Sequence, residues 1–164
     1  MTPALRTTDE AFDRFSATLD RDGLRDALAE LLSLTDYRFI AIFSFQGDRA
    51  NAAVFDDREQ PNVTTTVEVP AKATYCSFVR DARGVFSTAD AMHDTRIADH
   101  PKREVVQSYC GVPVITAEGD ILGTLCHYDL VPRDPTQLDL ELMLRVASLL
   151  AYRNLVPPYP SPSL

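Results

Sequence analysis

Residues 108–130 read SYCGVPVITAEGDILGTLCHYDL, two apolar runs (109–116 and 121–128) separated by Ala117-Glu118-Gly119-Asp120. Gly119 can take the positive φ of a tight turn, so the stretch predicts a β-hairpin. Both runs are apolar at nearly every position instead of alternating with charges. Such a strand pair is covered on both faces and belongs at the centre of a sheet. The rest of the chain is then its cover.

Strand geometry fixes which hairpin side chains share a face. Pairing Thr116 with Ile121 sets Gly111 opposite Cys126, Tyr109 opposite Tyr128 and Cys110 opposite His127. Alternation puts Tyr109, Gly111, Cys126 and Tyr128 on one face. Cys110, Val112, Leu125 and His127 fall on the other. Two phenols, a small thiol and a glycine suit a ligand cavity, whereas the aliphatic face suits packing under helices. The bland alternative fills both faces with core.

A length of 164 residues fits one domain able to bury a core without metals or disulfides. The formal net charge of −8 argues against a nucleic-acid face, and no Lys/Arg cluster with interleaved aromatics offsets it. No run approaches a membrane span, and the N-terminus lacks the apolar stretch of a secretory signal. Three scattered cysteines make no disulfide framework. The expected setting is cytoplasmic, away from membranes.

In chain order, residues 8–34 predict helix, capped by Thr7 or Thr8 and broken near Asp20–Gly23. Residues 37–45 and 50–55 predict two strands around Gly47-Asp48, and 64–69 an extended segment. Residues 71–80 predict a short helix after Pro70, with Tyr75, Phe78 and Val79 on its apolar side, ended by Gly84. Residues 85–87 form a short strand. The segment 88–107 then has little periodicity, and long irregular crossings often line a binding site. Residues 136–154 predict a helix capped by Thr136, and the proline-dense residues 156–164 a tail without core residues, disordered or loosely docked.

This order is α+β around an antiparallel sheet of about six strands. On YRFIAIFSFQGD, TYCSFV, STADAMHDTRIADHP, SYCGVPV and GDILGTLCHYD, the chain resembles a GAF domain over residues 22–152. The resemblance implies a GAF-like (profilin/PAS-like) fold for residues 1–155. N- and C-terminal helices would share one face, with short helices and the crossing loop over a pocket on the other. It also implies a sensory role and a homodimer formed through the terminal helices. With no output domain following, the signal would pass to a partner or between subunits. The Asn-Lys pair of the cyclic-nucleotide-binding members is missing. Cys126-His127 resembles the bilin-bearing Cys-His pair but lies on the second hairpin strand, so no bilin attachment is expected.

The expected ligand-binding set is Phe43, Phe45, Phe55, Tyr75, Cys76, Phe78, Asp90, Tyr109, Gly111, Cys126 and Tyr128. Asp90 is placed at the pocket mouth. His93, Asp94, Arg96, Asp99 and His100 read as a solvated loop, with His100-Pro101 capping a short helix that begins near Lys102. No paired zinc spacing such as C-x₂-C is present, and Cys126 and His127, on opposite faces, cannot ligate one ion together. No catalytic residue, metal or cofactor is expected, and the ligand is unidentified. Two alternatives stand beside the sensor. One is a thiol-dependent enzyme resembling free methionine-R-sulfoxide reductase, although the crossing loop lacks that enzyme's cysteines. The other is a dimerisation module that binds no ligand.

Overall fold

A computed structural model describes residues 7–64 and 68–160. Six strands form one antiparallel sheet: β1 (Phe39–Gln46), β2 (Arg49–Asp57), β3 (Glu68–Pro70), β4 (Phe86–Thr88), β5 (Ser108–Ile115) and β6 (Ile121–Asp129). Their spatial order is β3-β2-β1-β6-β5-β4, which sets the β5–β6 hairpin inside the sheet. The fold is α+β, as expected. Residues 65–67, part of the expected extended segment 64–69, lie outside the described residues, as do 161–164 of the tail.

Three helices cover one face. They are α1 (Thr8–Asp22), α2 (Leu24–Ser33) and α4 (Leu140–Tyr152). The Thr7 hydroxyl accepts from the Glu10 N–H at 3.1 Å and starts α1, and Gly23 divides α1 from α2. Phe15, Leu28, Ile40, Ile42, Val112, Leu125, Val146 and Leu150 pack into a continuous, mostly aliphatic core between these helices and the sheet. The Arg145–Asp9 and Arg153–Asp20 ion pairs tie α1 to α4 across the surface.

The hairpin register holds for Tyr109–Tyr128, Cys110–His127 and Gly111–Cys126, out to Val114–Gly123. It slips by one residue beside the turn, where Ile115 meets Ile121, so the expected Thr116–Ile121 pairing gives way to a bulge there. Gly123 has no room for a side chain. A methyl group there would run into the Phe43 carbonyl of β1, on the side where Val156 packs.

Several local expectations are corrected. The helix expected over 71–80 is a 3₁₀ turn, Ala71–Ala73, followed by α3 (Cys76–Ala82). Extended Thr74 separates them, its hydroxyl donating to the Ala71 carbonyl at 2.8 Å. Left-handed Arg83, not Gly84, closes α3. Asp139, not Thr136, caps the last helix. Thr136 sits in a 3₁₀ turn opened by Pro135, and the Asp139 carboxylate accepts from the Leu142 N–H at 3.0 Å. Finally, residues 156–164 are not without core contacts, because Val156 is buried in the aliphatic cluster.

Candidate functional site

The second face of the sheet is built differently. Alternation along β1, β5 and β6 turns Ala41, Tyr109 and Cys126 toward α3 and the crossing segment, where they meet Tyr75, Cys76, Val79, Ala91 and Ile97. Large rings stand beside small side chains on this face, and the layers do not close completely. A cavity of about 300 Å³ remains. Phe39, Phe43, Ala52, Phe55 and Tyr128 form its sheet wall. Ala73, Thr74, Tyr75 and Cys76 come from the approach to α3, while Lys102 and Val106 come from the crossing segment.

The walls are fixed by specific contacts. Phe39 and Tyr128 are cross-strand partners whose rings stack at 4.6 Å, 9° from parallel. The Tyr75 hydroxyl donates to the Val106 carbonyl at 2.8 Å and joins the α3 side to the crossing segment. Its ring meets Tyr109 edge-on at 5.6 Å. Burial raises the Tyr75 phenol to about 12 and pushes the Tyr128 and Tyr109 phenols up as well. All three are neutral hydroxyls at physiological pH. His100 accepts the Lys102 N–H through Nδ1 at 3.1 Å, with Nε2 3.2 Å from the Thr74 carbonyl, but what it holds is a run of turns and not the expected short helix near Lys102.

Of the expected site residues, Phe43, Phe55, Tyr75, Cys76, Tyr109 and Tyr128 meet around this cavity. Cys126 lies fully buried behind Cys76, the two sulfurs 3.9 Å apart. Gly111 does not open onto the cavity, because the Tyr109 ring folds along the strand and covers it. Phe45 lies further along β1 under the Arg80 guanidinium, 5.0 Å from the ring centre. Phe78 packs on Phe86 and lines a separate surface depression with residues of the crossing segment. Asp90 points away from the cavity and pairs with His93 Nδ1 at 2.9 Å. The Arg103 guanidinium turns inward onto the carbonyls of Ala98 and Met92.

Phe39 and Lys102 were missing from the expected set. Phe39 shares the strand parity of Phe43, a signal already present in the sequence. Lys102 has no such signal. It is the one charged residue in the cavity lining, and it forms no ion pair among the described residues.

The opposite face holds the other notable pair, Cys110 and His127. Burial drives the His127 imidazole down to about 4 and the Cys110 thiol up to about 11. Both are therefore neutral, and no thiolate–imidazolium pair forms.

Among the described residues no group of three or more His, Cys, Asp or Glu side chains is placed to hold a metal ion. No described helix is long and apolar enough to cross a membrane.

Comparison with known proteins supplies the last observations. The GAF domain family model matches residues 21–153. A cyclic di-GMP phosphodiesterase of Pseudomonas aeruginosa is 34% identical over 90 residues, which are 52% of this chain and 15% of that protein. The chain thus corresponds to a small part of that relative. Among solved structures, the GAF domain of an Acinetobacter phosphoenolpyruvate-protein phosphotransferase superposes with a TM-score of 0.70 at 14% identity, over 93% of each chain. Free methionine-R-sulfoxide reductase from Neisseria meningitidis, in complex with its substrate, superposes at 0.69 and 15%, over 93% of this chain and 91% of that one. At such identities the structural likenesses establish the fold alone.

Proposed function

The chain belongs to the GAF domain family, and from that premise we propose that it is a sensory module whose cavity takes one small, flat, largely apolar molecule with an anionic edge. The observation that carries this reading is the aromatic cavity with Lys102 at its wall, the one ammonium group of the lining and without an ion pair among the described residues. Stacked and tilted rings recognise a planar apolar body. Lys102, in a chain of net charge −8 and with no carboxylate among the described lining residues, selects a negative edge over a positive one. About 300 Å³ is the small end of ligand cavities, room for one or two fused rings. The likeness to part of a cyclic di-GMP phosphodiesterase supports a place in signalling.

Occupancy would be read through the Tyr75–Val106 bond, which couples the cavity to the crossing segment. The output would pass to a partner or a second copy through the terminal helices, where Leu140, Leu144 and Tyr152 of α4 are exposed.

Fluorescence of 2-naphthoate tests the cavity, and the absence of tryptophan leaves its signal uncontaminated. Saturable binding is expected in the wild type. It should be lost in Ala52→Phe, which fills the cavity without adding a tryptophan, and weakened several-fold in Lys102→Gln. Binding unchanged in both variants would overturn the reading. Light scattering on the same samples should report a dimer at ~100 µM.

A further inference from the structure

We propose that Cys76 and Cys126 form a redox-modifiable thiol pair at the floor of the cavity, joined as a disulfide by a small hydroperoxide that enters through it. Two buried free thiols from different elements, the start of α3 and the centre of β6, lie with their sulfurs 3.9 Å apart. A disulfide needs about 2.05 Å, so each sulfur has only about 1 Å to travel. Cys76 lines the cavity and Cys126 stands behind it, which assigns the first reaction to Cys76. The Tyr109 hydroxyl donates to the Cys76 sulfur at 3.1 Å. Burial alone would raise the Cys76 pKa, but hydrogen bonding, with the Cys126 thiol and the Tyr109 hydroxyl as its partners, brings the thiol below its usual value. Cys126 moves the other way, raised by burial and by the neighbouring sulfur. Its place in the cavity lining sets Cys76 to attack, and Cys126 behind it to resolve. The third thiol supplies an internal control, because Cys110 lies on the opposite face of the sheet, with its pKa raised by burial.

The chemistry balances. The Cys76 thiolate attacks one peroxide oxygen, the O–O bond breaks, and the electron pair leaves on the other oxygen. That oxygen takes the proton released from Cys76 and departs as an alcohol, or as water from hydrogen peroxide. Cys76 is then a sulfenic acid. The Cys126 sulfur attacks it, the S–S bond forms, the S–O bond breaks, and the hydroxyl leaves as water with the Cys126 proton. Two thiols are oxidised by two electrons and one peroxide is reduced; an external thiol reverses the bond. The bond would fasten the α3 end of the cavity wall to a central strand. Oxidation and ligand binding are separable. A chain that forms the bond yet ignores 2-naphthoate would lose only the sensor reading.

The full chain treated with hydrogen peroxide, then alkylated and digested without reductant, is expected to show the Cys76 peptide linked to the Cys126 peptide. Dithiothreitol should release the link, with Cys110 unlinked throughout. In Cys126→Ser, dimedone should label Cys76 at least about tenfold over Cys110, trapping the sulfenic acid that can no longer be resolved. The proposal is overturned if peroxide leaves both thiols free in the wild type, or if the bond that forms involves Cys110.

Discussion

The two faces of the sheet share the same strands yet are built by different rules. On the helix side, Ile40, Ile42, Val112, Val114 and Leu125 are aliphatic residues of similar size, all fully buried, and they interlock with α1, α2 and α4. On the other side, Phe43, Phe55, Tyr109 and Tyr128 alternate with Ala41, Ala52, Gly111 and Cys126. Large rings next to very small side chains cannot interdigitate at uniform density, and the leftover volume collects into the cavity. The hollow thus follows from unequal side-chain size along a regular backbone, and no gap in the sheet is needed.

The largest test of this contrast is a pair of truncations. Leu125→Ala opens a void in a solid layer and should cost about 3–4 kcal/mol in urea unfolding. Phe55→Ala removes a larger group from a wall that already borders empty space, and about 1–2 kcal/mol is expected. Equal losses would mean that both faces are packed alike.

An effect of intermediate size belongs to His127. Its folded pKa, about 4, lies below the unfolded value of about 6.5, so below pH 6.5 the unfolded chain takes up a proton that the folded one refuses. Stability from this group is complete above pH 6.5 and falls as pH drops toward 4. The loss is about 2 kcal/mol by pH 5. Tyr37 and Cys110 beside it stay protonated in this range and do not offset the change. Comparing wild type with His127→Leu between pH 7 and 5 isolates the term, and parallel curves would show that the imidazole is not sealed off.

The smallest effect concerns Asp90. Its exposed pairing with His93 is worth less than ~0.5 kcal/mol, and Asp90→Asn should leave 2-naphthoate affinity unchanged. A change in affinity beyond about twofold would extend the mouth of the cavity as far as this residue.

The division into two unlike faces was legible in the residues of the hairpin, because side-chain alternation is a property of the backbone and survives errors of register. The turn was less so. Its bulge depends on how Ile115, Thr116 and Ile121 settle around Gly119, which no period encodes. Phe39 was recoverable from its parity with Phe43. Lys102 and Val106 were not, since the crossing segment reaches the cavity by turns whose order shows no repeat. Asp90 misled because a carboxylate near a pocket reads the same whether it faces the ligand or a histidine three residues on. Val156 escaped notice because one apolar residue among prolines carries no pattern.

That last residue has a practical consequence. Val156 lies against the spot where β6 and β1 touch backbone to backbone at Gly123, so the segment leaving α4 is anchored on the sheet at the end of the β1–β6 ladder. A reporter or affinity handle spliced in after α4 would tug on this seam. Any change in thermal stability measured with such a fusion would then describe the attachment as much as the protein.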